Sequence, residues 1–198
     1  MLKRGLILLA LLAAGCGGED DEGARRTAAT PTPTPAPAQA EPQLPERPQV
    51  DLEGDDLPAF RSGRAVAPEP APATASVVGT IRRPERLQGR AGVFCRGYRL
   101  TVDRDGRARV ERVSDGRLVS GLRASFGAAS PPGSPVPVVL TCGAGEQEGE
   151  VVLGFTVGAR QLTYVRDEGS LTGTRAGLVA RRPADQARFA ALQLYIAE

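Results

Sequence analysis

The sequence predicts an all-β domain, a small antiparallel sandwich or barrel, over residues 75–198, preceded by a disordered Pro-rich tether. Three observations predict this organisation. Apolar and polar residues alternate over short segments of 75–198, turns that contain glycine separate those segments, and 11 of the 17 prolines lie within residues 17–74. Alternation with a period of two is typical of strands that bury one face. Dense proline prevents both helices and sheet ladders.

The chain begins with the pattern of a secretory signal peptide over residues 1–15. Lys3 and Arg4 precede an uncharged apolar run over residues 6–14. This run is too short to cross a bilayer as a helix, which takes about 20 residues. A positively charged start followed by a short apolar run is typical of export signals.

Small residues stand directly before the first cysteine, in the order Ala13-Ala14-Gly15-Cys16. They resemble the lipobox of bacterial lipoproteins. The resemblance implies transfer of a diacylglyceryl group to the Cys16 thiol, cleavage between Gly15 and Cys16, and acyl chains such as palmitate on the mature N-terminus. The lipid bilayer is then a partner through Cys16, and the protein is anchored to the cell membrane on its extracytoplasmic side. The alternative is a secreted protein that is cleaved near Ala14.

Residues 16–74 are predicted to be the lipidated N-terminus and a disordered tether. Proline alternates with Thr and Ala over residues 30–37, and residues 17–74 carry 11 acidic and 5 basic side chains. A segment with low hydrophobicity and net charge buries too little surface to offset its chain entropy. Residues 50–60 contain three large apolar side chains and are compatible with a short docking element, but we interpret them as linker.

A hairpin over residues 98–111 is the best-defined element of the predicted domain. A three-residue loop with Gly106 in the left-handed region keeps the two faces of the hairpin apart. This register pairs apolar residues across the hairpin, Val102 with Ala108 and Leu100 with Val110. It also pairs residues of opposite charge, Arg99 with Glu111 and Asp103 with Arg107.

Further strands are predicted at residues 76–81, 91–94, 118–126, 136–142, 150–157 and 171–180. A two-residue turn at Gly158 and Ala159 predicts a return strand that pairs Phe155 with Leu162 and Leu153 with Tyr164. Residues 184–197 fit two structures. Phe189, Leu192 and Ile196 have helical spacing after Pro183, whereas residues 192, 194 and 196 alternate as in a strand, and the helix is slightly favoured.

Cys95 and Cys142 are the only cysteines after Cys16, and both lie on predicted strands. In an exported protein such a pair predicts a disulfide. The spacing lacks Cys-x-x-Cys, so a redox pair is a much weaker interpretation.

The composition excludes several kinds of chemistry. The chain contains no His and no Asn, and its only Lys is Lys3. Ser-His-Asp and Cys-His catalysis, imidazole metal sites and Schiff bases are therefore excluded from the mature chain. We expect no metal and no cofactor, because the segment from Asp103 to Gly106 has too few ligands for a calcium loop and the hairpin accounts for it.

Five arginines form a candidate binding set for an anionic wall polymer or for lipid headgroups: Arg82, Arg83, Arg86, Arg90 and Arg96. Residues 75–198 contain 18 Arg against 12 acidic residues, and such an excess attracts anions. An envelope protein is a further candidate partner, whereas nucleic acid is not expected outside the cell. The alternative is a solvated face enriched in Arg by coding bias.

The sequence favours a membrane-anchored envelope lipoprotein whose β-domain binds or supports a component without catalysis. One alternative is an envelope hydrolase that uses two acids facing one cleft, and another is a spacer with a capping domain. The acidic side chains are predicted to face solvent, either outward on strands (Asp103, Glu111, Glu150) or at turns (Asp105, Asp115, Asp167, Glu168).

Overall fold

Two six-stranded antiparallel sheets pack face to face in the computed structural model, which describes residues 47–123, 133–159 and 162–196. In chain order the strands are β1 (Val50–Glu53), β2 (Arg64–Val66), β3 (Ala75–Ile81), β4 (Arg90–Cys95), β5 (Tyr98–Asp103), β6 (Arg107–Arg112), β7 (Leu118–Arg123), β8 (Val136–Ala144), β9 (Glu150–Val157), β10 (Thr163–Glu168), β11 (Ala176–Ala180) and β12 (Phe189–Ile196), and the helix α1 (Pro183–Gln186) precedes β12. Cys16 and residues 1–46 lie outside the described residues.

Sheet A has the strand order β1-β12-β3-β8-β9-β10, and sheet B has the order β2-β11-β4-β5-β6-β7. The predicted all-β sandwich is therefore confirmed. The core lies between the sheets, where the inward side chains of β5, β8 and β9, among them Leu100, Leu140 and Phe155, are fully buried. The other side of each sheet faces outward.

The sandwich has two ends, which differ in chemistry. The upper end is where β3 ends at Ile81 and β4 begins at Arg90, and the lower end is where β4 ends at Cys95. Cys95 in sheet B and Cys142 in sheet A form the predicted disulfide, with their Cα atoms 6.2 Å apart. This bond covalently joins the two sheets at the lower end.

The predicted hairpin is confirmed. Leu100 pairs with Val110, Val102 with Ala108, and Arg99 with Glu111. Gly106 has a φ of +77°, as the three-residue loop requires. The predicted side-chain pairing of Asp103 with Arg107 differs in the structure. Asp103 Oδ1 accepts the backbone N–H of Arg107, and Asp103 Oδ2 forms an ion pair with the Arg90 guanidinium at 3.1 Å.

The folded part begins earlier than the predicted boundary at residue 75. β1 pairs with β12, and β2 pairs with β11, so residues 50–66 add one edge strand to each sheet. Between them, the Phe60 ring stacks on Phe189 with the ring centroids 5.7 Å apart. Both strands are short and are surrounded by proline, so alternation within them was too brief to identify.

The C-terminal segment is a strand, and the favoured helix is wrong. β12 lies between β1 and β3, and a register shift occurs between Phe189 and Ala191. This bulge brings Phe189 and Leu192, three positions apart, to the buried side, which explains the apparent helical spacing. Only α1, with four residues, is helical there, and no helix in the described ranges is long and apolar enough to cross a membrane.

Three other predicted strands need correction. β9 and β10 are shifted by one residue, so that Thr163 rather than Leu162 pairs with Phe155, and Tyr164 pairs with Gly154. A Cβ at Gly154 would come within 2.9 Å of the Tyr164 ring, so the glycine makes room for that side chain. β11 is shorter than 171–180 because Gly173 has a φ of +69°, which a strand does not accommodate. β7 ends at Arg123, and residues 124–126 lie outside the described residues.

Candidate functional site

The outer face of sheet B carries the most concentrated set of polar side chains. Along β5 the inward residues Tyr98, Leu100 and Val102 are fully buried, so the residues between them, Arg99 and Thr101, face outward. Glu111 lies opposite Arg99 on β6. Strand alternation alone therefore brings a cation, a hydroxyl and an anion together on one face.

A shallow cleft of about 280 Å³, here called the upper cleft, lies on this face next to the upper end. Val179 of β11 contributes an apolar side chain to it. The other lining residues are Gly89, Arg90, Arg99, Thr101, Glu111, Arg181 and Arg182. Four of the eight lining residues are arginines, and Glu111 is the one acidic residue among them.

Two of the four arginines are held in place by acidic partners. Arg99 donates from Nε to the Glu111 carboxylate at 2.8 Å, and its Nη2 lies 2.8 Å from the same oxygen. Arg90 donates to Asp103 at 3.1 Å and to the Thr101 hydroxyl at 3.4 Å. Burial raises the pKa of Asp103, but hydrogen bonds from the Arg107 backbone and the Arg90 side chain outweigh it and hold that pKa below its usual range.

The other two arginines, Arg181 and Arg182, form no ion pair among the described residues, although the Asp185 carboxylate lies near Arg182 beyond ion-pair distance. Both side chains are exposed. The backbone of Arg182 is nevertheless well supported, because its carbonyl accepts the N–H groups of Asp185 and Gln186 at 2.9 and 3.0 Å. A fixed backbone with free guanidinium groups suits the binding of an anion.

The five predicted arginines do not form one patch. Arg82, Arg83 and Arg86 are exposed on the β3–β4 connection at the upper end, and Arg90 lines the upper cleft. Arg96 lies at the opposite end of β4, where it donates to the carbonyls of Pro72, Ala73 and Gly173 at 3.0 Å. Arg96 therefore holds loops together and is not available to a ligand.

Sequence reasoning missed Arg99, Arg181 and Arg182 as members of a binding face. Arg99 and Glu111 were identified as hairpin partners, and strand alternation already placed both outward. Arg181 and Arg182 carried one recognisable signal, a pair of arginines directly before the helix-starting Pro183. Nothing in the sequence indicated that β11 lies next to β4 and brings this pair to the same cleft.

Two acidic residues are buried among the described residues, Asp167 and Asp185. The prediction that Asp167 faces solvent is wrong. Tyr98 donates to its Oδ2 at 3.0 Å, and Arg112 donates to the same oxygen at 2.6 Å. Burial raises the pKa of Asp167, but the hydrogen bonds from Arg112 and Tyr98 outweigh it and keep that pKa below its usual range. For Tyr98, burial and the bond to Asp167 raise the pKa to about 12.

Asp185, on α1, is fully buried and only half satisfied. Its Oδ1 accepts the backbone N–H of Gln88 at 2.8 Å, whereas its Oδ2 has no hydrogen-bond partner among the described residues. This Oδ2 lies 3.2 Å from the position that a Cβ would take on Gly89, a residue of the upper cleft. A buried acceptor without a donor is costly. Asp185 does not itself line the upper cleft, but its Oδ2 lies next to Gly89, which does.

A second cleft of about 390 Å³, the lower cleft, lies on the same face towards the lower end. Arg64 of β2 lies over the Phe94 ring at 5.6 Å from its centroid, and both residues line this cleft. Arg175 and the hydroxyl residues Thr172 and Thr174 also line it. Basic side chains therefore continue along sheet B beyond the upper cleft.

No group of three or more Cys, Asp or Glu side chains suited to a metal ion occurs within residues 47–123, 133–159 and 162–196.

No known family model and no curated protein matches the sequence. Sheep galectin-11 in complex with glycerol is similar in structure, at 10% identity and a TM-score of 0.40, over 68% of this chain and 98% of that chain. A GH131 β-glucanase catalytic domain from Podospora anserina is similar at 10% identity and a TM-score of 0.40, over 74% of this chain and 68% of that chain. Neither similarity extends to a ligand or a reaction of this chain.

Proposed function

We propose that this protein is a lipoprotein of the bacterial cell envelope, anchored to the membrane through Cys16, whose β-sandwich binds an envelope component on the outer face of sheet B without catalysis. The observation that carries the binding role is the upper cleft. It combines two arginines fixed by Glu111 and Asp103 with two arginines that have no acidic partner among the described residues. Such an excess of positive charge on an open sheet face suits an extended anionic ligand.

The anchoring role rests on the leader. An export signal ending in small residues before Cys16 provides the substrate for lipidation. Two acyl chains on that residue anchor a protein stably, whereas one chain is marginal. The Pro-rich acidic stretch after Cys16 would separate the sandwich from the bilayer and let it reach the cell wall.

The alternative of a carboxylate-dependent hydrolase has less support. Such an enzyme needs two acids across one cleft, one of them with a raised pKa. The buried Asp167 pairs with Arg112 at the lower end, with a lowered pKa, while Asp185 lies on α1 at the upper end. Hydrolysis of peptidoglycan or wall polysaccharide that is lost in Glu111→Gln would contradict the binding role.

The anchor is tested by metabolic labelling with palmitate and by membrane fractionation of cells that express the full chain. Wild type and the control Gly18→Ala should incorporate label and sediment with membranes, whereas Cys16→Ala should do neither. If Cys16→Ala stays in the membrane fraction and no acylated N-terminal peptide is found in wild type, the anchoring proposal is wrong.

The binding role is tested by sedimentation of the purified full chain, held in detergent, with isolated cell walls. The protein should sediment with walls, and salt should weaken the binding because the contacts are ionic. Absence of binding to walls, membranes and envelope protein extracts alike would contradict the binding role and leave the structural spacer.

A further inference from the structure

Within the proposed binding function, the chemistry of the upper cleft identifies a ligand class. We infer that the upper cleft binds an acidic hydroxylated polymer, a chain of sugar or polyol units that carries carboxylate or phosphate groups, through the guanidinium groups of Arg181 and Arg182, with Asp185 accepting a ligand hydroxyl. This inference rests on the proposed function, since it names the ligand of the same face.

The charges of the cleft argue for an anionic group in the ligand. Glu111 neutralises Arg99, and Asp103 neutralises Arg90, so these two ion pairs carry no net charge that a ligand would have to balance. Arg181 and Arg182 form no ion pair with a described acid, although the Asp185 carboxylate lies near Arg182 beyond ion-pair distance. Guanidinium groups bind carboxylate and phosphate oxygens through paired N–H donors, and both anions meet this requirement.

The unsatisfied acceptor argues for hydroxyl groups in the same ligand. Asp185 Oδ2 is buried beside Gly89 and finds no donor in the part of the chain that the structure describes. A simple anion would be repelled by this carboxylate, whereas a sugar hydroxyl would donate to it. A polymer that offers hydroxyls between its anionic groups therefore satisfies both Arg182 and Asp185, which both lie close to Gly89.

The shape of the face argues for a polymer and against nucleic acid. The upper cleft is shallow, and the lower cleft continues on the same sheet with Arg64 and Arg175. No aromatic residue lines the upper cleft among the described residues. Single-stranded nucleic acids are bound largely by stacking of bases on aromatic side chains, and the upper cleft offers none.

Calorimetric titration of the full chain in detergent tests this inference. Polygalacturonate supplies carboxylates and hydroxyls, and a poly(glycerol phosphate) teichoic acid supplies phosphates and hydroxyls. Poly-L-glutamate supplies carboxylates without hydroxyls, and dextran supplies hydroxyls without charge. At least one of the first two should bind more tightly than poly-L-glutamate and dextran, and the better of them identifies the anion. If poly-L-glutamate binds as tightly as both, the hydroxyl requirement is wrong.

The variants locate the site. Arg181→Gln combined with Arg182→Gln should weaken binding by at least about tenfold, the effect of losing a charged hydrogen bond. The matched control, Arg82→Gln with Arg83→Gln, removes the same charge from exposed residues of the same end and should change affinity less than about twofold. Equal losses in both double variants would mean binding by overall charge and would overturn the inference.

Asp185→Asn keeps an oxygen for the Gln88 N–H and replaces the free acceptor with a donor. It should weaken binding of the hydroxylated polyanion but not of poly-L-glutamate, and its unfolding transition should show that the fold is retained. If it unfolds, Gly89→Ala is the second variant: its Cβ would crowd both Asp185 Oδ2 and the Arg182 side chain, and it should weaken binding of the hydroxylated polyanion more than binding of poly-L-glutamate. Unchanged affinity in a folded variant would remove Asp185 from the site.

Vesicles of phosphatidylglycerol and phosphatidylcholine distinguish a lipid headgroup from a wall polymer. Tighter binding to the anionic vesicles than to either hydroxylated polyanion would overturn the inference while leaving the envelope role. Binding to isolated walls that is insensitive to Arg181 and Arg182 would likewise overturn the inference alone. Failure to bind any wall fraction would contradict the proposed function itself.

Discussion

The two ends of the sandwich use charge in opposite ways. At the lower end, Asp167 is enclosed by Tyr98 and Arg112, Arg96 bonds to three loop carbonyls, and a disulfide joins the sheets. At the upper end, Arg181 and Arg182 form no ion pair with a described acid. A buried carboxylate oxygen without a hydrogen-bond partner among the described residues occurs at both ends, in Asp185 at the upper end and in Glu150 at the lower end. Polar groups that are fully paired stabilise the fold, whereas unpaired ones leave interaction capacity for a ligand. We therefore expect stability to depend on the lower end and binding on the upper end.

Removal of the disulfide should have the largest effect on stability of the changes that test this contrast. Cys95→Ala with Cys142→Ala should lower the free energy of unfolding by about 4 kcal/mol, because the open chain gains entropy when it unfolds. Urea denaturation followed by circular dichroism measures this loss. A change below about 1 kcal/mol, or alkylation of both thiols in the folded wild type without reductant, would contradict the role given to the lower end.

The second test removes one hydrogen bond of the Asp167 network. Tyr98→Phe should lower the free energy of unfolding by about 2 kcal/mol, because a charged acceptor loses a buried donor. Tyr195→Phe is the matched control. Its hydroxyl bonds to Gln193 at 3.3 Å in a partly exposed position, so its loss should stay below about 0.5 kcal/mol. Equal losses of unfolding free energy in the two variants would mean that the bond from Tyr98 to Asp167 stabilises the fold no more than an exposed hydrogen bond does.

The third test uses pH. Burial raises the pKa of Asp167, but the hydrogen bonds from Arg112 and Tyr98 lower it by more than burial raises it. The pKa in the folded state therefore lies below the unfolded value of about 3.9. The folded state then releases its proton more readily, and the resulting stability is present above about pH 4 and is lost as the pH falls through the folded pKa. Asp167→Asn should flatten the decline of stability below about pH 4, whereas the control Asp105→Asn should retain it. Parallel acid curves for wild type and Asp167→Asn would argue against this coupling.

The smallest effect on stability is expected at the upper end. Arg181→Gln with Arg182→Gln should change the free energy of unfolding by no more than about 0.5 kcal/mol, because both side chains are exposed and lack ion pairs with described acids. Urea denaturation beside the binding titration separates the two properties. A loss comparable to that of Tyr98→Phe would show that these arginines support the fold, and the contrast between the ends would fail.

The sequence predicted the sandwich, the hairpin register and the disulfide because each depends on local or pairwise information. Alternation along 98–111 identifies the inward face of the hairpin, and the two cysteines of residues 75–198 leave one pairing. β1, β2 and β12 required knowledge of their neighbours. β12 contains a bulge that imitates helical spacing, and its strand conformation is stabilised by pairing with both β1 and β3.

For the candidate site, the sequence by itself determined that arginine outnumbers the acids of the domain and that Arg99 and Glu111 face outward together. Only the tertiary structure decided which arginines are free. In the tertiary structure, Arg96 bonds to loop carbonyls at the lower end, and Asp103 forms an ion pair with Arg90. Arg181 and Arg182, which follow β11, lie beside the strands of the hairpin. The physical reason is that the free charge of a side chain depends on which groups lie within a few ångströms of it, and strand order rather than sequence spacing sets those neighbours.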